Sequence, residues 1–540
     1  MKNFCLKYKY IISLILLSLL VFGLSYAHQG SLIIDSGREV YYPKRILEGA
    51  VLYKDLFNIY GPFAYLYNAF LFKFFGLNIN VLYLSGVLTM SVIVACVYLL
   101  SRQFFDKFLA FSIASITIII GGFSFHVFNY VFPYSFSMTY GMAFCLISIY
   151  LLIQFIRKNN SFLYYLSTFF AGLAISNKYE FLPYCLIFIY VAFKNKLSIK
   201  QNIVSFVTLA IVPMLIFGFL FLQGVNCHDL IRNFKDIYAM SKTNTLNYFY
   251  SISGLTFQKQ TLGLLTRNFL MTIFPIALIY NGTYFIDKSK IKAYFLYALA
   301  VFFTFKLASL ETFIFLPLVL FVLMCVFLKK QSQDVKVLSI SAFLVSLKVF
   351  WATALNSYGV FFIPILLIAT ICFIKKDFKK FVSIYLVLVS IAFFVYNLPT
   401  RKEITYPIKT SMGKIYVTSL YKDTSNNIIK FINENTKPKD KILILPEGLF
   451  FNYLTNRLSD DYYNSYLPLY VETFGESRLI NSLKNNKPDY IILHNFPTSD
   501  YYFKSMCNDY GFEICDFIKN EYSPKGLLYD SFTAYVFKKK

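Results

Sequence analysis

The first apolar segment, "YIISLILLSLLVFGLSYA" (residues 10–27), decides the fold class of this 540-residue chain. It contains no charged residue, and a run of about 20 apolar residues is what a helix needs to cross the hydrocarbon core of a bilayer. A basic start precedes it, as in a secretory signal peptide, but the adjoining "SYAHQG" is a poor cleavage site. The segment is therefore interpreted as a first membrane-spanning helix.

The composition of the whole chain predicts many more spans. Hydrophobic residues make up 57% of the chain and charged residues only 15%, whereas a soluble domain carries about 25% charged residues. The net charge of +24 lies in short clusters between apolar runs rather than along one face, so no nucleic-acid partner is expected. Twelve further apolar segments between residues 80 and 397 bring the predicted number of spans to thirteen.

The distribution of charge predicts the orientation of these spans. With the N-terminus in the cytoplasm, the inner connections hold twenty basic residues and four acids, which is the bias that the positive-inside rule describes. An odd number of spans then places the C-terminal tail outside. The expected location is the plasma (inner) membrane, multi-pass, with any active carboxylate on the extracytoplasmic side.

The tail changes character and predicts a separate domain. "KILILPEG" and "DYIILHN" are short buried-strand patterns, each preceded by a helical stretch, and a third strand-like run, "AYVFKKK", closes the chain. Helix followed by strand, twice, is typical of an α/β domain with a parallel sheet. The predicted fold is thus an α-helical polytopic membrane domain (residues 1–397) followed by an extracytoplasmic α/β domain (residues 398–540). Cys507 and Cys515 would be able to pair there if the compartment is oxidising.

An acidic loop follows the first span: "LIIDSGREVYYPKRILEGAVLYKDLFNIYGPFAYLYNAFLFKFFG" (residues 32–76), within an outer loop that extends over residues 28–79. "SGRE" matches a capping box, which predicts a short helix from Gly37 to Glu48 with Asp35 at its entrance. "FAYLYNAFLFKFF" is too short to span a bilayer and predicts a second helix, lying in the membrane interface. The loop is therefore interpreted as two interfacial helices joined by a "YGP" turn.

A linker between two spans does not need the four acids of this loop, and two interpretations stay open for three of them. Asp35 is either a helix-entrance acid, favoured by the helix dipole, or a reacting carboxylate. Glu39 is either a cap or a substrate contact. Asp55 is either turn polarity or a substrate contact.

Other polar residues fall at the predicted outer ends of spans. "GLAISNKYEF" (residues 172–181) carries Lys178 and Glu180, and "FKLASLETF" carries Lys306. "SFHVFNYVFPYS" supplies His126 and Asn129. Charges at membrane depth usually face a protein cavity, so these residues facing one acidic loop suit an anionic lipid headgroup. For Lys178 the alternative is a membrane anchor whose charge reaches the interface.

The acidic loop and "GLAISNKYEF" resemble the corresponding segments of the GT-C glycosyltransferases. The resemblance is to the bacterial branch related to dolichyl-phosphate-mannose protein mannosyltransferases and to aminoarabinose transferases of lipid A. It implies transfer of a sugar from a polyprenyl-phosphate donor to a cell-envelope acceptor (lipid, glycan or protein) on the outer face, with membrane lipids as further partners.

The resemblance also implies roles for single residues. Asp35 matches the acid that acts near the acceptor hydroxyl, and we expect it to be the general base. The residues expected to bind the substrates are Arg38, Glu39, Asp55, His126, Asn129, Lys178, Glu180 and Lys306. Some family members carry a second acid between the third and fourth spans, which this chain lacks. No cofactor is therefore expected, and the presence of a divalent metal stays open.

Two other functional classes remain as alternatives. A lipid-linked sugar transporter would place charged or broken helices near the middle of the membrane, and only Lys348 lies within a predicted span. A polysaccharide polymerase or ligase also uses polyprenyl-linked sugars outside the cell and is the nearer rival. The long outer loop over residues 223–267 is expected to cover the site or to shape the acceptor pocket.

Overall fold

The computed structural model describes residues 2–32, 35–528 and 531–540, and this part of the chain is mostly helical. The first nine helices are α1 Lys2–Ser25, α2 Ser36–Leu47, α3 Phe63–Phe75, α4 Ile79–Phe104, α5 Lys107–Gly122, α6 Phe136–Lys158, α7 Ser161–Asn177, α8 Leu186–Lys194 and α9 Ile199–Leu222. The next eight are α10 Cys227–Met240, α11 Asn244–Ile252, α12 Lys259–Phe285, α13 Lys290–Leu307, α14 Leu316–Phe327, α15 Gln333–Val345, α16 Ile363–Cys372 and α17 Lys376–Glu403. Short 3-10 helices add Tyr179–Cys185, Leu328–Lys330, Leu347–Val349, Tyr358–Phe361 and Ser499–Tyr501.

Six of these helices are long and apolar enough to cross a bilayer, which confirms the predicted polytopic class. They are Tyr8–Ser25 and the helices α4, α6, α9, α12 and α17, and α5 and α16 are shorter apolar helices. Several predicted spans are interrupted in the described residues. The span expected at 180–193, for example, begins as the 3-10 helix Tyr179–Cys185, which contains Pro183, because proline cannot donate the helical hydrogen bond. The count of thirteen spans stays a prediction.

The long helices pack closely through small residues and hydroxyl contacts. α6 packs on α4 and α7, α7 packs on α9, and α5 packs on α1, α4 and α17. Gly172 of α7 leaves no room for a side chain against the carbonyl of Leu209 in α9. Small residues of this kind let two helix backbones approach each other closely. Such packing matters in a bilayer because the hydrophobic effect does not drive helix association there.

The outer loop forms both predicted helices, α2 and α3, but the predicted capping box is wrong. The Ser36 hydroxyl accepts a hydrogen bond from the N–H of Ser31 at 2.9 Å. The Glu39 carboxylate is buried and accepts a hydrogen bond from the hydroxyl of Tyr65 at 3.0 Å. α3 exposes Phe70 and Phe74, as expected of an interfacial helix. α2 is buried over most of its length, and its interfacial position stays a prediction.

The C-terminal region contains the expected strands in a mixed sheet. Its helices are α18 Ser419–Asn435, α19 Leu449–Leu454, α20 Pro468–Phe474, α21 Glu476–Asn486 and α22 Phe512–Glu521. Its strands are β1 Tyr406–Thr410, β2 Gly413–Val417, β3 Ile442–Leu445, β4 Tyr490–His494, β5 Tyr522–Leu528 and β6 Ala534–Lys539. The sheet order is β3-β4-β6-β5, with β3 and β4 parallel as predicted and β6 antiparallel to both of its neighbours. The expectation of a wholly parallel sheet is corrected, since β6 runs antiparallel to β4 and to β5.

The C-terminal region docks on the outer loop through α2. Gly37 is required there, because a Cβ at this position would lie 2.7 Å from the backbone nitrogen of Phe450 in α19. The Tyr41 hydroxyl donates to the carbonyl of Ser459 at 3.1 Å and accepts from its N–H at 2.6 Å. The long loop joins the same region, since Arg478 donates two hydrogen bonds, of 2.8 and 2.7 Å, to the Asp236 carboxylate of α10. The two regions therefore meet at the loop that carries Asp35.

Candidate active site

Asp35 lies immediately before α2 in a conformation that few residues adopt. Its φ of 67° and ψ of −58° are close to those of a rare and strained γ-turn. Its side chain makes no capping hydrogen bond to α2, so the helix-entrance interpretation loses its main support. Strained backbone of this kind persists where the surrounding structure imposes it, and it is concentrated at functional sites.

A second carboxyl group, that of Glu447, lies beside Asp35 and comes from the C-terminal region. The N–H of Asp35 donates to Oε1 of Glu447 at 3.3 Å, across 412 residues of sequence. The hydroxyl of Ser465 donates to Oε2 at 3.3 Å, and the His494 ring nitrogen lies 2.8 Å from the Glu447 carbonyl oxygen. Burial raises the pKa of both carboxyl groups, the charge of Asp35 raises that of Glu447 further, and Arg38 lowers both.

Arg38 links this acidic end to the rest of the site. It lies one helical turn after Asp35 and is buried. Its guanidinium donates to the hydroxyl of Tyr470 at 3.2 Å and lies over the rings of Tyr60 and Tyr134, with its central carbon 5.3 and 5.7 Å from the centroids. The hydrogen bond thus goes to a tyrosine hydroxyl, and the positive charge acts on the carboxyl pair over a longer distance.

The basic end of the site is formed where the two sequence motifs meet. The N–H of Gly61 in the "YGP" turn donates to the carbonyl of Asn177 at 3.0 Å, and a Cβ at Gly61 would collide with the carbonyl of Ser176. This close approach holds Tyr60 over Lys178, whose Nζ lies 4.7 Å from the ring centroid. The contact between Gly61 and Asn177 therefore explains why the "YGP" turn and the "GLAISNKYEF" segment occur together in this chain.

Lys178 and Lys348 lie on the same aromatic ring. Their Nζ atoms are 4.1 and 4.0 Å from the centroid of Tyr358. Glu180 serves both, since it accepts a hydrogen bond from Lys348 and lies 3.5 Å from the Nζ of Lys178. Burial lowers the pKa of Lys178 to about 7, and its Nζ has no hydrogen-bond partner in the described part of the chain. Among the described residues, a buried amino group with an ion pair of 3.5 Å and no shorter hydrogen bond is unusual and is typical of a ligand site.

Three of the residues expected to bind substrate are used by the protein itself. Glu39 accepts hydrogen bonds on both oxygens, from Tyr65 and from the N–H of Phe136 at 2.9 Å. Asn129 donates to two carbonyls and accepts from two N–H groups within its own loop. Asp55 is exposed and accepts from the N–H of Val51 at 2.8 Å, closing a turn. Each of these side chains thus has partners within the protein, and their expected substrate contacts stay predictions.

The remaining expected residues divide between the site and its surroundings. Lys306 is exposed near the end of α13, a helix that packs on α12 and α17, and its expected substrate contact stays a prediction. His126 lines a cavity of about 370 Å³ that also contains His28, Asn356 and Tyr416. Glu180 joins the site as the partner of two lysines.

Sequence reasoning missed Glu447 and misplaced Lys348 for different reasons. Glu447 follows β3 in "PEG", which carries no known binding pattern, and only the docking of the two regions brings it to Asp35. Lys348 lies in an apolar run and was expected within a span. The helix α15 ends at Val345, and the 3-10 helix Leu347–Val349 carries the lysine to the site.

No group of three His, Cys, Asp or Glu side chains in the described ranges has a metal-binding arrangement. The side chains described above carry the charges of the site. They form an acidic end, with Asp35 and Glu447, and a basic end, with Lys178 and Lys348. Arg38 and the rings of Tyr60, Tyr134 and Tyr358 lie between the two ends.

Residues 60–220 match the family described as dolichyl-phosphate-mannose-protein mannosyltransferase. The chain is similar to the crystal structure of the Archaeoglobus fulgidus oligosaccharyltransferase in the apo form, with 13% identity and a TM-score of 0.48 over 90% of this chain and 69% of that chain. It is also similar to ArnT from Cupriavidus metallidurans bound to undecaprenyl phosphate, with 11% identity and a TM-score of 0.48 over 98% of each chain. No curated protein matches the sequence. The family match includes the "YGP" turn and Lys178, and it confirms the predicted resemblance to the GT-C glycosyltransferases in the branch of the protein mannosyltransferases.

Proposed function

We propose that this protein transfers a sugar from a polyprenyl-phosphate donor to an acceptor hydroxyl of the cell envelope. The observation that carries the proposal is the single buried network with a carboxyl pair at one end and two lysines on one tyrosine ring at the other. A reaction that removes a proton from one group and releases a phosphate from another needs these two ends. The family match supports the same class of reaction.

The chemistry follows from the charges. A carboxylate at the acidic end, Asp35, accepts the proton of the acceptor hydroxyl as its oxygen bonds to the anomeric carbon. The bond from that carbon to the phosphate oxygen breaks, and its electron pair leaves with the polyprenyl phosphate. Lys178 and Lys348 stabilise the negative charge of that leaving group. The single negative charge of Glu180 cannot neutralise both lysines. Positive charge therefore remains to bind a phosphate.

We also propose that the site faces the extracytoplasmic side of the plasma membrane. The excess of basic residues in the predicted inner connections supports this orientation. So does the disulfide between Cys507 and Cys515, because disulfides persist in oxidising compartments. A reporter that is active only outside the cytoplasm should be active when fused after Leu398 and inactive when fused at Lys330. The reverse pattern would contradict the orientation.

The identity of the released lipid tests the function itself. The purified full-length protein is incubated with lipid-linked sugars and with a cell-envelope fraction as acceptor, both extracted from the producing cells, and the lipids are then followed by mass spectrometry. We expect release of polyprenyl monophosphate together with loss of the sugar from that lipid, and no release with Asp35→Asn. Release of polyprenyl diphosphate would favour the polymerase or ligase. A lipid pool that stays chemically unchanged would contradict any transferase.

A further inference from the structure

The carboxyl pair of Asp35 and Glu447 has a role that the transferase chemistry above does not yet use. We infer that Glu447 is a positioning residue of the site, which shares one proton with Asp35 and thereby sets the protonation of the carboxylate that activates the acceptor. The inference rests on the proposed function. It assigns to the C-terminal region a direct part in the active site of the membrane region.

Two hydrogen bonds hold the Glu447 carboxyl group beside the backbone of Asp35. The backbone N–H of Asp35 donates to Oε1 of Glu447 at 3.3 Å, while Ser465 donates to Oε2 at 3.3 Å. The carbonyl of Glu447 lies 2.8 Å from the ring nitrogen of His494 in β4. The glutamate is 7% exposed, so water has little access to its charge.

The charges around the pair do not allow both groups to be ionised without cost. The groups that face it are Arg38 of α2, Tyr134 before α6, Tyr470 of α20, the 3-10 residue Tyr501, Ser465 and His494. Arg38 is the one cation among them, and its hydrogen bond goes to Tyr470. Burial lowers the pKa of His494 to about 4, so its ring is neutral near pH 7. One positive charge against two adjacent carboxyl groups favours a state in which they hold a single proton.

With one shared proton, the protons and bonds of the transfer step balance. Before transfer the pair carries one proton and one negative charge, and the ionised member accepts the proton of the acceptor hydroxyl. The new bond to the anomeric carbon forms, and the bond to the phosphate breaks with its electron pair on the phosphate. The neutral pair then returns one proton to solvent. A proton held on Glu447 leaves Asp35 ionised, and burial raises the pKa of Asp35 to about 6, which makes it a stronger base near neutral pH.

The pH dependence of transfer by the full-length protein tests this role. Glu447→Gln keeps the acceptor oxygen for the Asp35 N–H but removes the charge, and Glu434→Gln, at an exposed position of α18, is the matched control. We expect Glu447→Gln to shift the acidic limb of the rate to higher pH by on the order of one unit, because the proton shared with Glu447 no longer stabilises the ionised Asp35. Glu434→Gln should leave the pH of the acidic limb unchanged. An unshifted limb in Glu447→Gln would overturn the inference.

A second measurement needs no turnover and separates the two proposals. The infrared carbonyl stretch of a protonated carboxyl group is recorded for the folded full-length protein at neutral pH. We expect one such band in the wild type, its loss in Asp35→Asn and in Glu447→Gln, and its retention in Glu434→Gln. If the band is absent from the wild type, the shared proton is wrong while the transferase proposal stands. If transfer is absent but the band behaves as expected, the function fails and the carboxyl pair remains.

Discussion

Replacing Asp35 with asparagine separates a reacting carboxylate from a structural one. The change keeps the size of the side chain, and asparagine tolerates positive φ as well as aspartate does. No capping hydrogen bond is lost, because the Asp35 side chain makes none to α2. The loss of a general base costs roughly 100- to 10,000-fold in rate, or about 3–5 kcal/mol of barrier. We therefore expect a folded protein with almost no transfer.

The stability of the same variant gives an independent result, whose sign follows from the pKa of the pair. Burial raises the pKa of both carboxyl groups in the folded protein above their unfolded values. Their favourable contribution to folding is then fully present below the unfolded pKa, near 4, and is lost as the pH rises through the folded values. Asp35→Asn removes one of the two groups. We expect the wild type to lose thermal stability between pH 4 and 8 relative to Asp35→Asn, as measured by unfolding in detergent.

Transfer and unfolding are measured on the wild type, on Asp35→Asn and on Asp55→Asn, which changes an exposed turn of the same loop. Asp55→Asn should keep its activity. An Asp35→Asn enzyme with half the wild-type rate would refute the assignment of the base. Glu447 would then be the next candidate, because the Glu39 oxygens are both engaged by internal donors.

Two further predictions concern the basic end and the docking of the C-terminal region. Lys178→Ala and Lys348→Ala should each raise the donor concentration needed for half-maximal rate about 10- to 100-fold, since a hydrogen bond to a charged group contributes about 1.5–3 kcal/mol. Lys306→Ala is the control, and equal behaviour of all three variants would contradict the phosphate site. Gly37→Ala should lower the midpoint of thermal unfolding, because its methyl group would lie 2.7 Å from the Phe450 nitrogen, and an unchanged midpoint would show that α19 can move away.

The sequence predicted the local parts of this site and missed the parts that depend on long-range docking. Asp35 and Lys178 were found because each lies in a motif whose neighbours constrain it, and the contact between Gly61 and Asn177 explains why both motifs are needed. Glu447 could not be found, because no periodicity relates two residues that are 412 positions apart. Lys348 was placed within a span because hydropathy records an apolar run but not the point at which its helix ends.

The charges of the site explain why a phosphate donor suits it. Three cations, Arg38, Lys178 and Lys348, interact with four carboxyl groups, those of Asp35, Glu447, Glu180 and Glu39. Glu180 forms ion pairs with both lysines and carries a single negative charge, so positive charge remains at the basic end for a sugar phosphodiester. Without that anion the excess falls on the two neighbouring lysines, and the pKa of Lys178 is lowered to about 7 by burial, with Lys348 adding to the effect. An arriving phosphate restores the balance and favours the charged lysine, so donor binding itself prepares the site to stabilise the leaving group.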